Sequence, residues 1–136
     1  MIRPVGLLYL DSSALVKLIV SEQETPALLS VLRDWPERVS SELALVEVGR
    51  AARRASNDPA VHRRAQDVLD AIHLLRLDVS ILQQASRLQP AQLRSLDAIH
   101  LASALSLEGD LGALAAYDGP LRNAARALGV PVVAPG

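Results

Sequence analysis

Four carboxylates in this chain stand where a purely structural role is awkward: Asp11, Glu47, Asp97 and Asp118. Asp11 ends the apolar run Val5-Gly6-Leu7-Leu8-Tyr9-Leu10, and Asp118 follows the apolar stretch Leu111–Tyr117. A continuous apolar run reads as a strand covered on both faces. In open parallel sheets, the carboxyl ends of such strands form the ligand-binding edge. Two aspartates at equivalent strand ends would converge there, although each could instead simply cap the helix that follows. Glu47 lies in Leu43-Ala44-Leu45-Val46-Glu47-Val48-Gly49, with Leu43, Ala44, Arg50 and Ala51 as helical neighbours. A glutamate on so apolar a face needs a partner, which is either a site or Arg50. Asp97 stands in Leu96-Asp97-Ala98-Ile99-His100-Leu101-Ala102, a stretch apolar on nearly every side. Its local partners are Arg94 one turn earlier and His100 one turn later, and a place near a helix start also favours its charge. An unpaired buried carboxylate is costly or shifts its pKa. Brought together, the four would repel one another, and a divalent cation removes that cost. Oxygen donors without cysteine suit Mg²⁺, or Mn²⁺. Such a centre can activate water and stabilise the charge of a phosphodiester displacement.

The elements that must position these groups follow from apolar spacing and breakers. A strand over Val5–Leu10 is followed by a helix over Ser13–Val20 and another ending near Arg33, with Pro26 in its first turn. A short strand at Arg38–Ser40 leads to a helix over Ser41–Ala55, with Ser41 as its cap. Asn57-Asp58-Pro59 breaks the chain before a helix over Ala60–Leu74; a strand over Leu75–Asp78 and a helix over Ser80–Leu88 come next. The Leu96–Leu107 helix reads as buried. After Leu111–Tyr117, Asp118-Gly119-Pro120 turns into a helix ending at Gly129, and Val130–Val133 is an edge strand if Pro131 lies within it. Strands alternating with helices give an α/β fold with a mainly parallel central sheet.

Composition narrows the function. Half the residues are hydrophobic and only 2% aromatic, so Leu, Val, Ile and Ala must build the core. The formal net charge of -1 offers no global basic field for a polyanion. Lys17 is the only lysine; the other side chains of that charge are arginines, which suit bidentate phosphate contact but also fit a coding bias. The absence of cysteine excludes a disulfide framework, a zinc–thiolate centre and a cysteine nucleophile. Arg3 and Pro4 interrupt any leader, and no stretch is long enough to span a bilayer, so a cytoplasmic protein with no membrane role is expected. His100 reads as a hydrogen-bonded core histidine, because hard cations seldom need imidazole. His62 and His73 carry no motif.

At the four carboxylates the sequence resembles the PIN-domain ribonucleases, specifically the VapC toxins of bacterial toxin–antitoxin pairs. The stretch from Tyr9-Leu10-Asp11-Ser12-Ser13 through Leu18 is similar to the first motif of that family, and Ser41 with Leu43–Val48 to the second. Leu93-Arg94-Ser95-Leu96-Asp97-Ala98-Ile99-His100-Leu101-Ala102 resembles the third, which is highly specific. Tyr117-Asp118 with Leu121, Ala124-Ala125 and Gly129-Val130-Pro131-Val132 resembles the fourth. One departure is Ala116, where the family commonly carries Thr or Ser, so a hydroxyl able to support a water at the site is missing.

The resemblance implies a single PIN domain over residues 1–136, a three-layer α/β/α sandwich. It implies a Mg²⁺-dependent endoribonuclease in which Asp11, Glu47, Asp97 and Asp118 are both catalytic residues and metal ligands. Ser12 and Ser41 are candidates for an outer shell. Arg50, Arg54, Arg94 and Arg122 are candidates for RNA-backbone contact, against the reading of a solvated surface. It also implies a cognate VapB-type antitoxin, a homodimer and a toxin–antitoxin hetero-oligomer. An antitoxin helix could lie in a groove lined by Leu15, Leu18, Ile19, Leu28 and Leu32, unless these face the protein's own sheet. The rival readings are a catalytically weak PIN-fold protein that binds RNA or antitoxin, and a phospho-acceptor domain, for which the single early Lys17 is wrongly placed.

Overall fold

The computed structural model describes residues 5–136; Arg3 and Pro4 lie outside them. A sheet of five parallel strands forms the middle layer, in the order β3-β2-β1-β4-β5. The strands are β1 (Leu7–Leu10), β2 (Arg38–Ser41), β3 (His73–Leu75), β4 (Leu111–Ala115) and β5 (Val132–Val133). The helices are α1 (Ser12–Lys17), α2 (Thr25–Leu32), α3 (Leu43–Ala55), α4 (Pro59–Asp70), α5 (Val79–Arg87), α6 (Ser95–Leu105) and α7 (Gly119–Ala127).

The sheet separates two cores, and side-chain alternation assigns each strand residue to one of them. Leu8, Leu10, Ala113 and Ala115 face α1–α4 together with Ala14, Leu15, Leu28, Leu32, Ala44, Val48, Ala65 and Leu69. Tyr9, Val39, Leu114 and Ala116 face α5–α7, against Ile81, Leu101, Leu121 and Ala125. The chain builds β1, β2 and β3 outward, then returns across the other face to lay β4 beside β1. Right-handed crossovers put the two runs of helices on opposite faces. The reversal of strand order between β1 and β4 creates the crevice at their carboxyl ends.

The expected α/β/α sandwich is therefore present, with corrections at element ends. β1 begins at Leu7, because Gly6 takes φ +95° and Val5 is exposed. A side chain at Gly6 would also put its Cβ 2.7 Å from the Asp110 carbonyl oxygen. α1 stops at Lys17, short of the expected Val20. α4 stops at Asp70, and Leu74, expected in that helix, lies in β3; the expected strand at Leu75–Asp78 is thus shifted toward His73. There the sheet edge captures the chain, since Val39–Ser41 pair with His73–Leu75. β4 ends at Ala115, and Tyr117 turns aside so that its hydroxyl donates to the Pro135 carbonyl at 2.7 Å. β5 is an edge strand but shorter than the expected Val130–Val133, and Pro131, on which the expected edge position rested, lies just before it.

The expected groove lined by Leu15, Leu18, Ile19, Leu28 and Leu32 is filled. All but the partly buried Leu18 are buried in the core beneath α1–α4, where the small residues of this chain leave large aliphatic side chains to cover the sheet. Among the described residues, no helix is long and apolar enough to cross a membrane.

Candidate active site

The chain leaves β1 at Asp11, whose extended backbone makes it the N-cap of α1. Its Oδ1 accepts from the Ala14 backbone N–H at 2.9 Å and from Ser13 Oγ at 2.7 Å. Capping and a place at the sheet crevice thus coincide in one side chain. Asp11 is only 3% exposed. Burial pushes its carboxyl up to about 6, although the bonds from Ser13 and Ala14 and the nearby His100 oppose the rise. Ser13 also accepts from the Tyr117 backbone N–H at 3.0 Å, which ties the ends of β1 and β4 together.

Glu47 reaches the same crevice from α3 and does not pair with Arg50. Its Oε1 accepts from Ser12 Oγ at 2.5 Å and lies 2.6 Å from His100 Nε2. Burial alone would raise its pKa, but the bonds to His100 and Ser12 outweigh that and hold it below the ordinary range. His100, in α6, is fully buried, and its Nδ1 lies 2.8 Å from Tyr9 Oη. The core histidine expected from the sequence is present, and it touches a candidate site carboxylate.

Asp97 sits in the first turn of α6 and Asp118 caps α7, accepting from the Leu121 backbone N–H at 3.0 Å. The Arg94 guanidinium lies 3.5 Å from Asp97 and 3.2 Å from Asp118 while its side chain stays 77% exposed. Asp97 Oδ2 is buried and accepts no hydrogen bond. Burial first, and then the Asp118 charge, push the Asp97 carboxyl above its ordinary range.

Among the described residues, no three His, Asp or Glu side chains make a ready-made metal cage. The donor chemistry nonetheless suits a hard cation: the Asp97 charge is felt at Asp11 and the Asp118 charge at Asp97, and one buried Asp97 oxygen accepts no hydrogen bond and has only an exposed arginine near it.

The remaining sequence candidates fall on different surfaces. A cleft of about 620 Å³ beside Glu47 is lined by Ser12, Ser13, Lys17, Arg50, Arg54 and Tyr117, among others. Arg50 and Arg54 are exposed along it. Arg94 is engaged with two carboxylates. Arg122 is half-buried, and its Nε has no partner. Ser41 needs correcting as an outer-shell candidate: its buried Oγ accepts from the Leu43 backbone N–H at 3.1 Å, which starts α3. Ala116 is packed in the core beneath α5–α7. Sequence reasoning gave Tyr9 no role beyond the strand. The available signal was a phenol in an otherwise aliphatic strand, since a buried hydroxyl requires a partner.

Comparison with known proteins agrees with this geometry. Residues 8–127 match the model of the PIN domain family. The chain is 47% identical over 128 residues to ribonuclease VapC46 of Mycobacterium tuberculosis (strain ATCC 25618 / H37Rv), covering 94% of this chain and 97% of that protein. It is 43% identical over 136 residues to ribonuclease VapC35 of the same strain, covering 96% and 98%. The crystal structure of Mycobacterium tuberculosis VapC20, a toxin that cleaves the sarcin–ricin loop, superposes with a TM-score of 0.73 at 18% identity, over 94% of this chain and 99% of that one, and supports the fold. With its sheet order, its carboxylate crevice and these relatives in agreement, the chain belongs to the PIN domain family, among its VapC members.

Proposed function

We propose that the protein is a Mg²⁺-dependent endoribonuclease, the toxin of a VapBC-type pair, and that residues 1–136 form a single PIN domain. The observation that carries this reading is the buried Asp97 Oδ2, which accepts no hydrogen bond and meets only the exposed Arg94 guanidinium at 3.5 Å, beside Asp118 and near enough to Asp11 to help raise its carboxyl. Asp11, Glu47, Asp97 and Asp118 would hold Mg²⁺, with Mn²⁺ as a substitute, and Ser12 would support them from the outer shell. A bound divalent cation supplies water activation and charge neutralisation for phosphodiester hydrolysis. The protein's own groups do the rest. Ser13 and the Ala14 N–H hold Asp11 in place, while Ser12 and His100 hold Glu47. Arg50 and Arg54 line the adjoining cleft, where guanidinium groups can pair with RNA phosphates. Arg94 and Arg122, on other surfaces, are further candidates for phosphate contact. The binding-only alternative has little support: Ala116, its one hint in the sequence, is packed in the core.

The relatives' VapC names support a cognate antitoxin as part of this reading, and a homodimer and a cytoplasmic setting are proposed alongside it. An antitoxin surface is better sought at the open groove between α2 and α4, lined by Leu18, Leu29, Val68 and Arg64, than at the buried leucines.

The test is to incubate the purified protein with structured RNA and Mg²⁺ and to map the new ends. Hydrolysis by water predicts 5′-phosphate and 3′-hydroxyl ends that disappear with Asp97→Asn. Cyclic 2′,3′-phosphate ends would contradict the proposal, because they require the RNA's own 2′-hydroxyl as nucleophile.

A further inference from the structure

A chain of side-chain hydrogen bonds runs from the core to the site: Tyr9 Oη to His100 Nδ1 at 2.8 Å, His100 Nε2 to Glu47 Oε1 at 2.6 Å, and Ser12 Oγ to the same Glu47 oxygen at 2.5 Å. We propose that Tyr9 and His100 are positioning residues that aim the Glu47 carboxylate into the crevice, with Tyr9 acting through the tautomer of His100. This rests on the nuclease reading above.

The direction of each bond follows from the groups around it. An ionised carboxylate only accepts, so Nε2 must carry the proton that points at Glu47. When the imidazole carries a single proton, that proton therefore sits on Nε2, Nδ1 is left as an acceptor, and the Tyr9 hydroxyl is the donor that meets it. The two serines near the phenol cannot serve as that donor. Ser103 Oγ donates to the Ile99 carbonyl at 2.7 Å, and Ser40 Oγ donates to the Leu10 carbonyl at 2.7 Å. Burial keeps the phenol protonated far above neutral pH, so it remains a donor. The rings of Tyr9 and His100 meet edge to face, 5.8 Å between centroids, which leaves the imidazole little freedom to turn. Tyr9, from β1, and His100, from α6, therefore fix a carboxylate that α3 carries in from the other side of the sheet. Partners that orient a ligand in this way are typically worth about 10–100-fold in metal affinity or activity.

The experiment measures Mn²⁺ binding by calorimetry alongside RNA cleavage, for the wild type, Tyr9→Phe, His100→Gln, His100→Leu and the Tyr9→Phe/His100→Gln pair. Nitrogen NMR of the His100 ring adds a direct reading of its tautomer. His100→Leu should weaken Mn²⁺ binding about 10–100-fold. His100→Gln should recover most of that loss, because its amide N–H can donate to Glu47. Tyr9→Phe should weaken Mn²⁺ binding about tenfold with the ring still in place, and shift the His100 tautomer away from the Nε2–H form. With His100→Gln already present, Tyr9→Phe should cost little more, since no tautomer is left to set. The proposal is overturned if Tyr9→Phe matches the wild type in tautomer and Mn²⁺ affinity. It is equally overturned if His100→Gln, folded by its melting curve, binds Mn²⁺ no better than His100→Leu. A wild-type protein that binds Mn²⁺ but cleaves no RNA would instead overturn the nuclease reading, and the Mn²⁺ and tautomer results would still decide this one.

Discussion

The two halves of the carboxylate crevice are built on opposite principles. Asp11 and Glu47 sit among donors: Ser13, the Ala14 N–H, Ser12 and His100 all point at them. Asp97 and Asp118 sit against each other and share one exposed arginine, whose 3.5 Å approach to the buried Asp97 Oδ2 is not a hydrogen bond. The first half is held in position by the protein itself. In the second half, like charges are crowded, and an added cation gains most there. A half whose carboxylates are held by donors and a half crowded with like charge are what the proposed cation site requires.

The largest expected effect breaks the donor-poor half. Asp97→Asn should reduce RNA cleavage to background while the metal-free protein melts no lower than the wild type, because the change removes repulsion against Asp118 and little packing. A variant with normal cleavage, or one that fails to fold, would show that Asp97 serves structure instead.

Next in size is a pH effect that separates the halves. Asp11 holds its proton more tightly in the folded than in the unfolded chain, with a folded pKa of about 6. Its ionisation therefore costs stability, and its contribution favours folding at low pH and fades as pH rises through about 6. This contribution amounts to roughly 2 kcal/mol between pH 4 and pH 7, and Asp97 acts in the same direction. Glu47, held low, opposes it: its stabilisation is present above the ordinary glutamate pKa and is lost as pH falls through its lowered value. The metal-free protein should accordingly resist urea better near pH 5 than at pH 7, and Mg²⁺ should close that gap at pH 7. Equal urea midpoints at both pH values, with and without Mg²⁺, would remove the electrostatic basis of the comparison.

The smallest effect concerns Arg94, which occupies part of the place a cation would take. Arg94→Ala should tighten Mn²⁺ binding, by no more than about fivefold because so exposed a pair contributes at most about 1 kcal/mol. Weaker Mn²⁺ binding in calorimetry would instead make the arginine an aid to the site.

The sheet and its layers were legible in the sequence, and the four candidate carboxylates stood out there, because each rests on local signals. Apolar runs end at a charged cap for Asp11 and Asp118, and a carboxylate interrupts an apolar helix face for Glu47 and Asp97. What was not legible depends on contacts across the fold. The partners of Glu47 come from residues 35 and 53 positions away, so its local neighbour Arg50 looked like the natural partner. Leu28 looked available to a partner because the aliphatic helices seemed to exceed one core, whereas the sheet needs a core on each face and buries it completely. Leu74 followed helical spacing in sequence but was claimed by the free edge of β2. Ser41 looked like a site hydroxyl and is used to start α3.

The most direct measurement of the central claim is RNA cleavage by the purified protein as a function of free Mg²⁺, with chelator added and then overcome. The account predicts no cleavage in excess chelator, recovery to the full rate when Mg²⁺ is restored, and no recovery at any Mg²⁺ concentration for Asp97→Asn. Undiminished cleavage in excess chelator would contradict it.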